Sequence, residues 1–309
     1  MKIALSLAAG AFLCALAPLA LFSGSTTGVD TVPTQMVITV RAANDGKLPQ
    51  NLLPSELRVI EGNTTVPVIS MERLAGDLAD MQLFLCLDDS TRSSSLGVHF
   101  SELKAFIDSL PPTTEVAIGY MRNGTFAPTE FTTDHAKAAE SLRPPLGIPG
   151  LNGSPYFALS ELVKHWPSKN VSHRRAVLML TDGVDPYYGT AIEEDPYVDT
   201  SIRDALKGGI AVYSIYLRGA GAYSHNEWIT NVAQSRLTQV SEETGGHAYF
   251  QDFSDPVTIA PFLFDLQDRL DNQYRLTIAA LDKKGLQTVK LRTELHGLKI
   301  DAQTHILVQ

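Results

Sequence analysis

The chain has 309 residues, 44% of them hydrophobic and 19% charged, with a formal net charge of −9. That balance suits a folded protein, and the length suits one large domain with a smaller one beside it. An acidic surface without a run of Lys or Arg works against nucleic acid and against polybasic docking on anionic lipid, because both rest on attraction to phosphate.

Lys2 precedes an almost unbroken apolar stretch from Ile3 to Phe22, and the small residues Ser23-Gly24-Ser25 follow it. This is the pattern of a secretory signal over residues 1–25, which predicts a secreted or periplasmic protein. The apolar run approaches the roughly 20 residues that span a bilayer, so an uncleaved membrane anchor is the alternative. Residues 26–34, rich in Ser, Thr and Gly, read as a linker. Cys14 falls inside the leader and Cys86 stands alone after it, so an internal disulfide is excluded from the mature chain.

Over residues 35–80 the sequence alternates as strands do. Met36 to Arg41, Leu57 to Ile60 and Thr65 to Ile69 are the segments, with turn chemistry at Asn44-Asp45-Gly46 and Glu61-Gly62-Asn63. From residue 81 the pattern changes to strand and helix in turn. Strands are expected at 83–87, 115–121, 126–131, 175–180, 210–216 and 247–250, and helices near 99–110, 134–143, 156–166, 196–207, 226–244 and 256–272. Such a rhythm implies right-handed crossovers. The predicted fold is therefore α/β, a doubly wound, mostly parallel six-stranded Rossmann-like sheet over residues 81–272. Asn123-Gly124 marks a hairpin, so one edge strand runs antiparallel. Gly245-Gly246 ends the helix before it.

Residues 273–309 return to strands at 274–278, 288–292 and 304–308, with a hairpin expected at Asp282-Lys283-Lys284-Gly285. Neither terminal set of strands makes a core alone. The two are expected to pair in one β subdomain, with the α/β domain inserted between them.

Leu83-Phe84-Leu85-Cys86-Leu87 runs directly into Asp88-Asp89-Ser90-Thr91, and Ala176-Val177-Leu178-Met179-Leu180 runs into Thr181-Asp182-Gly183. Ligand sites of open α/β sheets lie at the carboxyl ends of strands. Hydroxyls and carboxylates from two such ends make an oxygen-rich cup suited to a hard divalent cation such as Mg2+. Either motif alone is explained by helix capping and turn formation. Their joint occurrence at two strand ends favours a site.

On these residues the central region resembles the von Willebrand factor type A domain, and the whole chain resembles bacterial secreted proteins that carry a related domain between short β flanks. The resemblance implies a metal site, Asp-x-Ser-x-Ser with a Thr and an Asp from two further loops, and non-catalytic recognition of a protein whose acidic side chain completes the shell. Asp88 and Ser90 fit the first two positions, Ser154 stands for the Thr and Asp182 fits the last carboxylate, with Mg2+ or else Mn2+ or Ca2+ as the ion. Arg92 occupies the second Ser position. Either Ser93 reaches in from a longer loop, or the site lacks a ligand, or the guanidinium of Arg92 bridges Asp88 and Asp182 in place of a metal.

Around the cup, Asp185, Tyr187, Tyr188, Glu193, Glu194 and Asp195 form an acidic and aromatic loop, read equally as a partner contact and as a solvated loop whose Asp195-Pro196 starts a helix. Gly219 to His225 is expected at the rim. Two rival classes remain: a metal-free scaffold that binds through a free edge of the β subdomain, and an Asp88-dependent phosphohydrolase, which lacks its second Asp because Ser90 stands there. Gly-x-Ser-x-Gly after a strand, His-Glu-x-x-His, paired cysteines and Gly-x-Gly-x-x-Gly are all missing, which removes the corresponding hydrolase, zinc and dinucleotide readings.

Overall fold

A computed structural model describes residues 30–43, 48, 52–122, 125–126, 128–148, 153–170, 172–185, 195–219 and 226–309. The leader, the start of the linker, the Asn44–Gly46 and Asn123-Gly124 turns, Asn152, Tyr187, Tyr188, Glu193, Glu194 and residues 220–225 lie outside the described residues.

Four strands come first: β1 (Thr31–Ala42), β2 (Leu57–Glu61), β3 (Thr64–Val66) and β4 (Val68–Arg73). The α/β domain follows with β5 (Met81–Asp88), α1 (Ser93–Gly97), α2 (Phe100–Ser109), β6 (Thr114–Arg122), β7 (Thr125–Phe126), α3 (His135–Glu140) and α4 (Pro155–Lys164). It continues with β8 (Arg174–Thr181), α5 (Pro196–Gly208), β9 (Ile210–Tyr216), α6 (Glu227–Glu243), β10 (Ala248–Tyr249) and α7 (Ala260–Asp271). The chain closes with β11 (Gln273–Leu281), β12 (Gly285–Thr293), β13 (Leu298–Ala302) and β14 (His305–Val308).

The central sheet has the order β10-β9-β8-β5-β6-β7, and its first five strands are parallel. β7 is antiparallel to β6 at the edge. It covers only Thr125 and Phe126, and among the described residues beyond it the contact with β6 continues as the Thr129 N–H bond to the Ile118 carbonyl and the bridge between Thr132 and Val116. Every residue of β5 is buried, as a parallel strand covered on both faces requires. Leu83, Leu85 and Leu87 pack under α2, α3 and α7. Phe84 and Cys86 face α4, α5 and α6 on the other side. α5 begins where the sequence suggests: Asp195 caps it by accepting from the Tyr197 N–H, Pro196 takes the first helical position, and Gly209 ends it at φ 62°.

The terminal strands form two sheets, β13-β1-β11-β4 and β14-β12-β2-β3, and each mixes strands from both ends of the chain. Met36, Ile38, Leu276 and Ile278 of one sheet and Val59, Val289 and Ile306 of the other share one core, so the unit is a sandwich. Several sequence expectations change here. β1 starts at Thr31, inside the stretch that composition suggested was linker. Pro67, which cannot donate to a ladder, splits the expected strand at 65–69 into β3 and β4. β11 and β12 are not a hairpin: β11 pairs with β1 and β4, β12 with β2 and β14, and Asp282–Lys284 carries the chain from one sheet to the other. β13 was not expected, since its residues are only partly buried and their alternation is weak.

The sandwich docks under the amino ends of the central strands. Arg174, the first residue of β8 and 8% exposed, donates to the Leu270 carbonyl at 2.7 Å and to Gln273 Oε1 at 2.5 Å. Arg269, 2% exposed, joins Asp265 at 2.5 Å to Asp301 of β13 at 2.8 Å, and Arg41 of β1 reaches the same Asp301 oxygen at 2.7 Å. The carboxyl ends of the strands are left uncovered by the sandwich. Gly246 sits where α6 returns to β10, and a Cβ there would lie 1.9 Å from the Val212 carbonyl oxygen. Gly246→Ala should therefore lower stability by about 1–3 kcal/mol, as overpacking does, which a urea titration reads as a lower midpoint at unchanged slope.

Candidate metal centre

β5 and β8 are neighbours in parallel register, with Leu87 opposite Leu180. Asp88 therefore emerges beside Thr181 and Asp182. Asp88 is 6% exposed and fully engaged: Oδ1 accepts from the Ser90 N–H at 2.8 Å and the Ser90 hydroxyl at 2.7 Å, and Oδ2 accepts from the Thr181 hydroxyl at 2.8 Å. Thr91 closes the same turn by donating to the Asp88 carbonyl at 3.0 Å. Asp182 is partly buried, and its Oδ1 accepts from the Val184 N–H at 2.9 Å.

Burial, and then the negative charge of Asp88, pushes Asp182 up to about 8. Burial likewise raises Asp88, against the bonds from Ser90 and Thr181. Two carboxylates are thus held close in a poorly solvated place, and no described cation makes an ion pair with either. Like charges so placed favour a shared proton or a bound cation. Among the described residues no group of three or more His, Cys, Asp or Glu is placed to hold a metal ion. The donors are instead two carboxylates and hydroxyl oxygens, a set that fits a cation retaining several waters, such as Mg2+.

The other expected residues divide. Ser154 caps α4 by accepting from the Phe157 N–H at 3.1 Å, and its hydroxyl donates to Asp185, both residues being buried. It shares the rim with Asp182 because Tyr156, two residues on, donates to the Gly183 carbonyl at 2.9 Å. Ser93 is exposed in the first turn of α1 and makes no hydrogen bond there. Arg92 is exposed at the N-cap of α1 and pairs with neither Asp88 nor Asp182. The internal-cation reading is therefore incorrect: Thr91 turns inward, and the next side chain faces solvent.

The clamp on Asp89 escaped sequence reasoning, while Gly219 and Asp185, expected around the cup, take roles there that the sequence did not specify. Asp89, 2% exposed, is clamped by Arg122 at 2.7 Å and Arg143 at 2.8 Å and accepts from the Leu146 N–H at 2.8 Å. Burial alone would raise Asp89, but these partners hold it below the usual carboxylate range. Gly219 presses on the cup, since a Cβ there would lie 2.4 Å from Asp182 Oδ2. Asp185 is 0% exposed and anchors Ser154. The Asp89 clamp had no local sequence signal, because the arginines that meet it lie 33 and 54 positions away.

The raised Asp182 sets a sign for stability. With a folded value of about 8 and an unfolded one of about 3.9, the folded state keeps a proton that the unfolded state has released. That stabilisation is complete below about pH 4 and is lost as pH rises through 8. The urea midpoint of chelator-treated protein should fall across this window, and Asp182→Asn should flatten the fall; an unchanged profile in the variant overturns the assignment.

No protein-family model matches this sequence, nor does any curated protein. Solved structures do. One is an aerotolerance-related membrane protein from Bacteroides fragilis NCTC 9343 carrying multiple mutations to serines, at 12% identity and a TM-score of 0.45, covering 62% of this chain and 98% of that one. Another is the pilus adhesin SpaC from Lactobacillus rhamnosus GG in an open conformation, at 8% identity and a TM-score of 0.45, covering 84% of this chain and 48% of that one. A third is the VWA domain of SpRpn10, at 11% identity and a TM-score of 0.40, covering 60% of this chain and 94% of that one. In its own strand order, its antiparallel edge and the helices on both faces of its sheet, the α/β domain is a doubly wound, Rossmann-like unit.

Proposed function

We propose that this chain is an exported, non-enzymatic protein-binding module whose type A-like domain recognises a partner through a divalent cation. The observation that carries the reading is the pair Asp88 and Asp182, packed at adjacent strand ends with no described cation between them. Asp88, Ser90 and Asp182 would hold the ion, with Ser154 the donor available from the second loop and Ser93 a solvent-side neighbour. Thr181 orients the second oxygen of Asp88. A bound Mg2+, Mn2+ or Ca2+ would present an open position to a carboxylate of the partner.

Export rests on the leader-like residues 1–25. Among the described residues no helix is long and apolar enough to cross a membrane. Leu146 and Ile148, 68% and 66% exposed, flank Gly147, whose N–H bonds the Asp89 carbonyl at 2.9 Å, so apolar surface lies beside the cup where a partner would sit.

Calorimetric titration of Mg2+ and Mn2+ into chelator-stripped protein tests the site. Saturable binding is expected, abolished by Asp88→Ala or Asp182→Ala and weakened about 10- to 100-fold by Thr181→Val, as loss of a carboxylate's orienting partner does. Absence of binding in the unaltered chain would reject the metal and leave the scaffold reading.

A further inference from the structure

β13 pairs with β1 only from Ile38 to Ala42 and then departs. After Ala302 the chain crosses at Gln303 and enters the second sheet as β14, beside β12. β11 continues along the other side of β1 as far as Thr31. Among the described residues the edge of β1 from Thr31 to Val37 is consequently left without a hydrogen-bonded strand, although β14 passes close to it on its way to β12.

The register says which groups face that edge. The Val40 N–H bonds the Asn272 carbonyl and the Asp282 N–H bonds the Asp30 carbonyl, so even-numbered residues of β1 turn their peptide groups toward β11. Ala43, an odd residue, bonds Gly297 on the β13 side. The peptide groups of Thr31, Gln35 and Val37 and the carbonyl of Pro33 thus point to the open side. Gln35 makes no backbone hydrogen bond there among the described residues, whereas the Ile38–Ala302 pairing already engages the Val37 carbonyl with Gln303 and leaves only the Val37 N–H. Pro33 blunts part of the edge, as proline does on edge strands, but leaves the donors of Gln35 and Val37 available.

This edge borders a cleft of about 740 Å3 between the sandwich and the α/β domain, within the roughly 300–1,000 Å3 range of binding sites. The far wall is basic. His173, Arg174, Arg175 and Lys207 line it, Arg275 of β11 stands beside Val37, and among the described residues no Asp or Glu lines the cleft, in a chain of net charge −9. His173 faces Glu115 and Asp80 behind it, and Arg275 lies 3.9 Å from Glu72. Lys207 is exposed and has no carboxylate partner among the described residues. Arg174 is 8% exposed, and its Nε has no hydrogen-bond partner although buried; the Nε of Arg175 is in the same state.

We infer that the cleft binds an extended acidic peptide segment of a protein partner, which adds as a strand to β1 at Gln35 and Val37 and sets its carboxylates against Arg175, Lys207 and Arg275. Backbone pairing supplies affinity and the basic wall supplies selectivity, the division of labour of strand-addition sites. The cleft lies at the amino ends of the central strands, where Arg174 begins β8, so it is separated from Asp182 by the length of that strand, about 25 Å at ~3.3 Å per residue. It therefore stands or falls independently of the metal centre.

The test is fluorescence anisotropy of the full chain with a labelled, end-blocked heptapeptide in which Glu alternates with Val and Thr. Saturable binding that weakens with salt is expected. N-methylation of alternate peptide nitrogens, which removes the strand's donors but no charge, should weaken it about tenfold or more, and so should replacement of Glu by Lys. Lys207→Glu, at an exposed position that folding tolerates, should reproduce the charge effect, and Gln35→Pro the backbone effect. Lack of saturation overturns the proposal. Equal binding of the N-methylated peptide, or full competition by millimolar inorganic phosphate, overturns it in favour of a plain anion site, and strand exchange between two copies would appear as a dimer in sedimentation and also overturn it.

Discussion

The parallel pairing of β5 with β8 is the constraint from which the candidate centre follows. Leu87 opposite Leu180 places Asp88 within reach of the Thr181 hydroxyl, at 2.8 Å, and beside Asp182. Both strands are apolar on both faces, with Leu83, Leu85, Leu178 and Leu180 in one layer and Phe84, Cys86, Val177 and Met179 in the other. Burial alone would tolerate a one-residue slip here, since either face of each strand is apolar. What opposes a slip is polar: the Thr181 bond at one end, and Arg174 at the other, tied to Leu270 and Gln273. Side-chain parity then decides which oxygen meets which, because a shift of one residue would turn every side chain to the opposite face.

The sandwich explains why the two ends of the central sheet differ. Strands from both termini are needed for either of its sheets, so the α/β domain is an insertion held by its own entry and exit, Met81 after β4 and Gln273 after α7. That closure buries Arg269, Arg174 and Gln273 at the amino ends of the strands and leaves the carboxyl ends to loops. It also forces the chain to change sheets after β13, since β12 needs β14 while β1 needs β13. The open edge of β1 is the geometrical consequence of one short C-terminal segment serving two sheets.

Much of this order was legible in the residues. The apolar strands ending in Asp88 and in Thr181-Asp182, the Asp195-Pro196 helix start and the Gly245-Gly246 stop each combine a local signal with a single physical cause, and the structure has those elements. The failures share a different cause. Asp282 to Gly285 has hairpin chemistry, yet whether two successive strands pair is decided by which sheet completes the core, and no local window contains that. Arg92 was read by its charge, whereas its position is fixed by the inward turn of Thr91 onto the Asp88 carbonyl. Ser154 is no such failure: its hydroxyl donates to Asp185, whose burial the sequence does not reveal, and its oxygen keeps a lone pair for a cation.

Asp88 and Asp89 are adjacent, both buried, and treated oppositely. Asp89 is compensated as a structural carboxylate must be: two arginines and the Leu146 N–H hold it ionised, at the cost of ordering residues from two other loops. Asp88 receives hydroxyls and one N–H and is left to face Asp182, and burial drives both of that pair toward the protonated form. The fold therefore supplies cations one residue away and withholds them here. A carboxylate pair that served only packing would be improved by the same arginines or replaced by neutral side chains, since burying uncompensated like charges costs stability. Charge left uncompensated at the end of two strands, where a ligand can reach it, is understandable if the compensating cation arrives from outside, and that asymmetry between neighbours supports the metal reading more strongly than the motif does.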